Sequence, residues 1–217
     1  MPAVVLLSGG LDSATTLYYA LNRGYRCHCL IFNYAQRHNR EIRSAVRIAA
    51  STKCKYTVIN LKFPWSKSVL TDKTSGIPHR ELKDIYESSV VPPTYVPARN
   101  TVFLSYAAGL AESIGADTVF IGANAVDYSG YPDCRPEYIR SMQKALRLGT
   151  TNPRIVIAVP LITKSKVQIV KLALKLNVPL KHTWSCYTGG RHPCGKCDSC
   201  KLREKGFSAA GVVDPVK

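Results

Sequence analysis

Short apolar runs alternate along the chain with stretches whose apolar residues recur at helical spacing. Residues 3–7, bounded by Pro2 and a Ser-Gly-Gly turn, predict a buried strand. Beyond Ser13, residues Ala14, Leu17, Tyr18 and Leu21 share one face of a helix that Gly24 closes. The pattern then repeats. Residues 27–32 predict a strand, 39–50 a helix with Ile42, Ala45, Val46 and Ala49 on one face, and 56–61 a third strand. Residues 62–98, with five prolines and no sustained period, predict a long surface excursion. Regular structure resumes at Asn100, where Val102, Phe103, Tyr106, Ala107, Leu110, Ala111 and Ile114 give a helix with a broad apolar face. A strand at 118–122 follows. Residues 124–135, rich in Asp, Gly, Tyr and Pro, predict a loop, and Pro136 opens a helix carrying Tyr138, Ile139, Met142, Ala145 and Leu146. A strand at 155–159 and a helix at 163–177 end the alternation.

Five strands separated by helices predict an α/β fold, a five-stranded parallel sheet with helices on both faces, because right-handed crossovers carry each helix over the sheet. Ligands of such sheets bind at the strand C-terminal ends, so residues 8–13, 33–38 and 124–135 are expected at one rim. The domain organisation expected is an ATP-binding α/β domain over residues 1–182 with a small cysteine-rich, metal-binding segment, 183–217, packed on it.

Composition narrows the class. With 46% apolar and 20% charged residues the chain is neither disordered nor fibrous. No apolar run is long enough for a transmembrane helix and no secretory signal pattern opens the chain, so no membrane association and a cytoplasmic location are expected. The net charge of +16 invites a nucleic-acid reading, but its distribution opposes one. Residues 1–100 hold 14 basic and 6 acidic side chains, residues 101–217 hold 16 and 8, and there is no basic tail. A generally cationic surface that attracts anionic nucleotides is the expectation, and direct nucleic-acid binding is not.

The turn SGGLDS, residues 8–13, supplies what an anion site needs: glycines, free backbone N–H groups and the positive end of a helix dipole. Gly9 and Gly10 leave room for phosphates, Ser8 and Ser13 offer hydroxyls, and Asp12 can hold a metal ion bridging phosphate oxygens. Neither a Walker A pattern nor a GxGxxG fingerprint is present. The bland reading, a tight turn with Ser13 as helix cap, leaves Ser8 and Asp12 without a purpose. The loop resembles that of the PP-loop, or N-type ATP pyrophosphatase, superfamily, which implies an adenine nucleotide alpha hydrolase-like fold, an adenylated intermediate and release of pyrophosphate.

Cys194, Cys197 and Cys200 are spaced CxxCxxC with Cys186 upstream, and four thiolates suit one structural Zn2+. The same spacing suits a [4Fe–4S] cluster. Unrelated core thiols are a poor account, because Arg191, His192, Lys196 and Asp198 between and beside them are too polar for a core. His192 is a spare ligand, expected to be exposed.

Four further motifs accompany these: NYAQRH at 33–38, YVPARN at 95–100, GANAVDYSGYPDCRPEY at 122–138 and CYTGGRHPCGKCDSCKLR at 186–203. Together they resemble the 7-cyano-7-deazaguanine synthase family, from residue 4 to about residue 210. Two positions depart from the family pattern: Ala98, where glycine is usual, and Gln168, where an acidic residue is common. The resemblance implies a ligase that converts 7-carboxy-7-deazaguanine and ammonia to the nitrile with ATP and Mg2+, through adenylated carboxylate and amide intermediates. It assigns Ser8, Gly9, Gly10, Leu11, Asp12 and Ser13 to ATP, with Arg37 and Arg99 as further anion contacts. Asp12, Ser13 and Lys166 take the catalytic roles, Lys166 reaching the phosphates from the last helix. Asp127, Tyr131, Asp133 and Arg135 are the substrate candidates, since a deazaguanine offers N–H donors to carboxylates, a carboxylate to arginine and a flat face to tyrosine. Two other readings stay open: a tRNA-thiolating member of the superfamily with Cys134 as the thiol, and a zinc-dependent nucleotide sensor without turnover. A homodimer is compatible with the sequence.

Overall fold

The structure, a computed structural model, describes residues 1–87 and 90–216; Ser88 and Ser89, within the proline-rich excursion, and Lys217 lie outside the described residues. Five strands, β1 (Pro2–Leu6), β2 (Arg26–Asn33), β3 (Lys55–Asn60), β4 (Thr118–Phe120) and β5 (Val156–Ala158), pair in parallel throughout, in the order β3-β2-β1-β4-β5. The chain leaves β1 toward β2 on one side and returns to β4 on the other. The crevice at the C-terminal ends of β1 and β4 is therefore the topological switch point, where ligands of such sheets bind.

Alternation within β1 explains why its sequence is apolar without interruption. Ala3 and Val5 face one layer of helices and Val4 and Leu6 the other, all of them buried. The first layer holds α1 (Leu11–Asn22), α2 (Arg40–Ser51) and α7 (Lys166–Lys175), with Leu17, Ile48 and Ile169 fully covered. The second holds α4 (Arg99–Ser113) and α6 (Pro136–Gly149), packed through Leu104, Ala107, Ala111 and Ile139. The predicted strands and helices thus fall where periodicity put them, within a few residues at each end.

Three regions differ from the sequence expectation. The 62–98 excursion contains a short helix, α3 (Leu82–Glu87), and is tied down rather than free at the surface. Arg80 bridges Asp198 at 2.7 Å, and Lys201 reaches both the Arg80 carbonyl and Glu81. The 124–135 loop is partly helical: α5 (Ala125–Gly130) starts in a capping box between Asn124 and Asp127, and a 3-10 turn spans Pro132–Cys134. The cysteine-rich end continues into α8 (Asp198–Ala209), which lies on α7 and places Phe207 in the same core cluster as Leu17 and Ile169. Packing therefore runs across the expected 182/183 boundary. Asp198, read as too polar for an interior, is buried because Arg80 answers its charge.

Gln168, where the family pattern is commonly acidic, closes a capping box with Ser165 at the start of α7, a role that glutamine and glutamate share. No helix among the described residues is long and apolar enough to cross a membrane.

Candidate active site

A cleft of about 270 Å³ opens at the switch point, lined by the SGGLDS turn, the end of β2 and the start of α2, the N-terminal turn of α4, and the segment after β4. The three loops expected at one rim do meet there.

Within the SGGLDS turn Gly10 is the N-cap residue of α1 and no side chain caps the helix, so Ser13 is not its cap. The backbone N–H groups of Leu11, Asp12 and Ser13 have no acceptor among the described residues, which suits an anion. The Ser8 and Ser13 hydroxyls bond each other at 3.0 Å and hold the turn closed. The glycines divide the work differently from expectation. Gly10 lines the cleft, and a Cβ there would make only ordinary contacts, 3.5 Å from Ser8 Oγ, whereas Gly9, at φ 86°, would press a Cβ to 2.3 Å from the Glu41 carbonyl of α2. Gly9 is thus required by packing rather than by phosphate clearance. Gly122 serves similarly, since a Cβ there would stand 3.1 Å from the Ser13 nitrogen.

Asp12 is the hinge of the site. Lys166 donates to its Oδ2 at 2.5 Å and the Asn124 amide donates to the same oxygen at 3.2 Å. Its Oδ1 is buried without a partner among the described residues, an acceptor suited to a cation or ligand donor. Burial opposes the Lys166 charge, but Asp12 and Asp127 outweigh it and its pKa is raised. Asn124 also donates to Asp127 Oδ2 at 2.6 Å, so one buried amide links the SGGLDS turn to the 122–138 motif. Asp127 is itself pushed up, first by burial and then by the Asp12 charge, with Lys166 pulling the other way.

Opposite this group stand Arg99 and Tyr131, both lining the cleft. Arg99 makes one side-chain hydrogen bond, to the Tyr34 hydroxyl at 3.3 Å, and no ion pair among the described residues. Tyr131 is anchored through Thr94 at 2.6 Å. Cys134 borders the cleft but is buried, and burial together with the Asp127 and Asp133 charges pushes its thiol well above its ordinary pKa.

Three expected site residues are not brought to the cleft. Arg37 donates to the carbonyls of Val69, Asp72 and Ser75, so its guanidinium is consumed in folding down the excursion. Asp133 is buried with its carboxylate on the Asn100 backbone N–H at 2.9 Å, neutralising the first turn of α4. Arg135 is exposed and precedes α6. Sequence reasoning in turn missed Glu41, Asn124 and Tyr187, all at or beside the cleft. Glu41 sits in the first turn of α2, where an acid reads as an ordinary dipole partner.

The four cysteines converge as expected, with their Sγ atoms all within 4.8 Å of one another. Cys186 Sγ accepts N–H bonds from Thr188 and Cys194, and Cys194 Sγ accepts one from Cys197. Such a group can hold a metal, and His192 is exposed, as expected. The cluster is joined to the active cleft. Trp184 donates its backbone N–H to the Gly9 carbonyl at 2.9 Å and its indole N–H to the Cys186 carbonyl at 2.9 Å, while the His38 ring bonds that same carbonyl. Arg40 lies over the Trp184 ring, and Tyr187 lines the cleft.

Solved structures with the same fold include an NMN synthetase from Francisella tularensis, TM-score 0.53 at 17% identity, covering 97% of this chain and 77% of that one. Another is a 4-thiouridine synthetase in an RNA complex with bound ATP, TM-score 0.51 at 20% identity, covering 96% and 53%. Much nearer in sequence is the 7-cyano-7-deazaguanine synthase of Thermoplasma volcanium, 52% identical over 219 residues, 99% of this chain and 90% of that protein. The enzyme of the same name from Nostoc punctiforme is 49% identical over 222 residues, 100% and 99% of the two chains. The family described as queuosine biosynthesis protein QueC matches residues 2–211. With a family match over residues 2–211, the SGGLDS turn and the 122–138 segment at one switch-point cleft and four cysteines clustered nearby, the chain belongs to the QueC family.

Proposed function

We propose that the protein is a carbon–nitrogen ligase that converts 7-carboxy-7-deazaguanine and ammonia, at the expense of ATP, to 7-cyano-7-deazaguanine. The observation that carries this reading is the Asn124 amide, which binds Asp12 of the phosphate turn and Asp127 of the family's substrate segment at once. A nucleotide on the turn and a small ring beside Asp127 would share one cleft.

A carboxylate resists ammonia because its charge repels the nucleophile and oxide is a poor leaving group. Transfer of AMP to the carboxylate removes both obstacles, ammonia then gives the amide, and a second activation at the amide oxygen followed by loss of AMP gives the nitrile. The turn at Ser8, Gly10, Leu11, Asp12 and Ser13 would orient the phosphates, Gly9 holding it against α2. Lys166, fixed by Asp12, would neutralise charge on the pyrophosphate as it leaves. Arg99, with spare donors, is the further anion contact, and Asp127 and Tyr131 would position the ring. Asp12 Oδ1 and the adjoining phosphates would hold Mg2+, which supplies charge neutralisation when bound.

We further read the cysteine cluster as a structural Zn2+ site in the segment 183–217, packed on the 1–182 domain. Four sulfur atoms within 4.8 Å of one another suit ligation of one ion, whereas thiolates on four different irons must stand further apart. Buried, undissociated Cys134 speaks against sulfur transfer, which needs an accessible thiolate. Incubation with ATP, Mg2+, ammonium and 7-carboxy-7-deazaguanine should yield AMP, pyrophosphate and the nitrile by mass spectrometry; an acid left unconsumed would sink the proposal.

A further inference from the structure

Glu41 is an acidic side chain that the chemistry above leaves unused. It lines the cleft from the first turn of α2, beside the phosphate turn, because its own carbonyl fills the space a Gly9 side chain would need. Its carboxylate accepts no hydrogen bond and makes no ion pair among the described residues, which distinguishes it from Asp12, Asp127 and Asp133, all bonded within the protein. Arg99 lines the same cleft; among the described residues its guanidinium is hydrogen-bonded only to the Tyr34 hydroxyl, and it makes no hydrogen-bonded ion pair with Glu41. A cleft that holds a cation and an acid within electrostatic reach, yet bonds neither to the other among the described residues, leaves both for a ligand carrying an anionic group and a set of N–H donors.

We propose that Glu41 is the specificity residue for the amino-bearing edge of the ring, its two oxygens accepting the ring N–H and the exocyclic amine side by side. This rests on the function proposed above and deepens it, since a 2-aminopyrimidinone edge is the part of that substrate which presents two parallel donors to one carboxylate. Tyr131 and Tyr187 line the same cleft and offer flat apolar surface to the ring. Burial pushes the Glu41 carboxyl up to about 7, with Arg99 opposing, as expected of an acid whose partner arrives with the ligand.

Equilibrium binding of 7-carboxy-7-deazaguanine and of its analogue lacking the 2-amino group, measured by calorimetry on the metal-loaded protein, tests this. The native protein should prefer the amino-bearing acid by about 100-fold, because loss of one of two charge-assisted bonds leaves a buried oxygen unpaired. Glu41→Gln should weaken binding of the amino-bearing acid by about 100-fold and reduce the preference to about 10-fold or less, with an unchanged melting temperature certifying the fold. A Glu41→Gln protein that keeps the full preference overturns the inference. So does one that binds both acids normally but loses turnover, which would make Glu41 a proton acceptor for ammonia instead. Native protein that binds neither acid overturns the proposed function together with this inference, whereas native binding and turnover with an unaltered variant preference overturn this inference alone.

Discussion

Lys166 Nζ lies 2.5 Å from Asp12 Oδ2 across 154 positions of sequence, so the first residue of the last sheet-covering helix is locked to the SGGLDS turn. Both side chains are less than a quarter exposed, which puts the pair where charge is weakly screened. Lys166→Met should lower kcat by about 100-fold or more, in line with loss of one preorganised charge at a reacting centre. A steady-state assay in which only KM rises would show that Lys166 binds nucleotide without aiding its transfer.

Ala98 occupies a left-handed conformation, φ 56° and ψ 21°, as the N-cap residue of α4. A side chain there is strained, whereas glycine is not. Ala98→Gly should raise stability by about 0.5–1 kcal/mol after the greater flexibility of unfolded glycine is subtracted. Thermal melting should move upward by about 2–3 °C for a chain of this size; a decrease would mean that the Ala98 methyl group makes a compensating contact.

Arg203 and Asp214 form a buried double-bonded pair, at 2.6 and 2.9 Å, and Arg203 also reaches the Thr183 hydroxyl. With both side chains no more than 7% exposed, removal of one leaves a charge stranded. Arg203→Met should cost about 3–5 kcal/mol in denaturant unfolding, and a cost under about 1 kcal/mol would show that Asp214 finds water instead.

Metal removal should be visible without any assay of turnover. Trp184 is buried and bonded to the Cys186 carbonyl, while Trp65, the second tryptophan, is exposed. A strong chelator should release one zinc per chain, red-shift the tryptophan emission and lower the melting temperature. A brown protein absorbing near 400 nm, roughly where iron–sulfur clusters absorb, would replace zinc by a cluster.

Cys54 and Cys134 should differ sharply in alkylation. The hydrogen bond from Cys29 lowers the Cys54 thiol to about 6, and this residue is only partly covered. Its reaction with iodoacetamide should rise with pH through a midpoint near that value rather than near the ordinary thiol range. Cys134, buried beside Asp127 and Asp133, should stay unlabelled in the native protein. Rapid labelling of Cys134 near neutral pH would revive sulfur transfer as a reading.

What was legible in the sequence was whatever a few neighbouring residues encode. The apolar runs and helical spacings gave the alternating elements, SGGLDS the turn between strand and helix, and the cysteine spacing a cluster that could hold a metal, each within a short stretch of chain. Asn124 shows the limit: it reads as a loop residue, and becomes a bridge between Asp12 and Asp127 only when β1 and β4 lie side by side. Arg37 and Asp133 show the reverse error, charged residues in site motifs that the fold uses to satisfy carbonyls and a helix amide.

The sequence by itself determined the α/β class, the glycine turn before the first helix and the clustering of four cysteines, because strand period, helix period and cysteine spacing are local properties of the chain. Only the tertiary structure decided which charged groups face the cleft. Glu41 and Arg99 line it without an ion pair among the described residues, while Arg37, Asp133 and Asp198 are bonded elsewhere, and that sorting depends on which distant backbone and side-chain groups each one meets when the sheet closes.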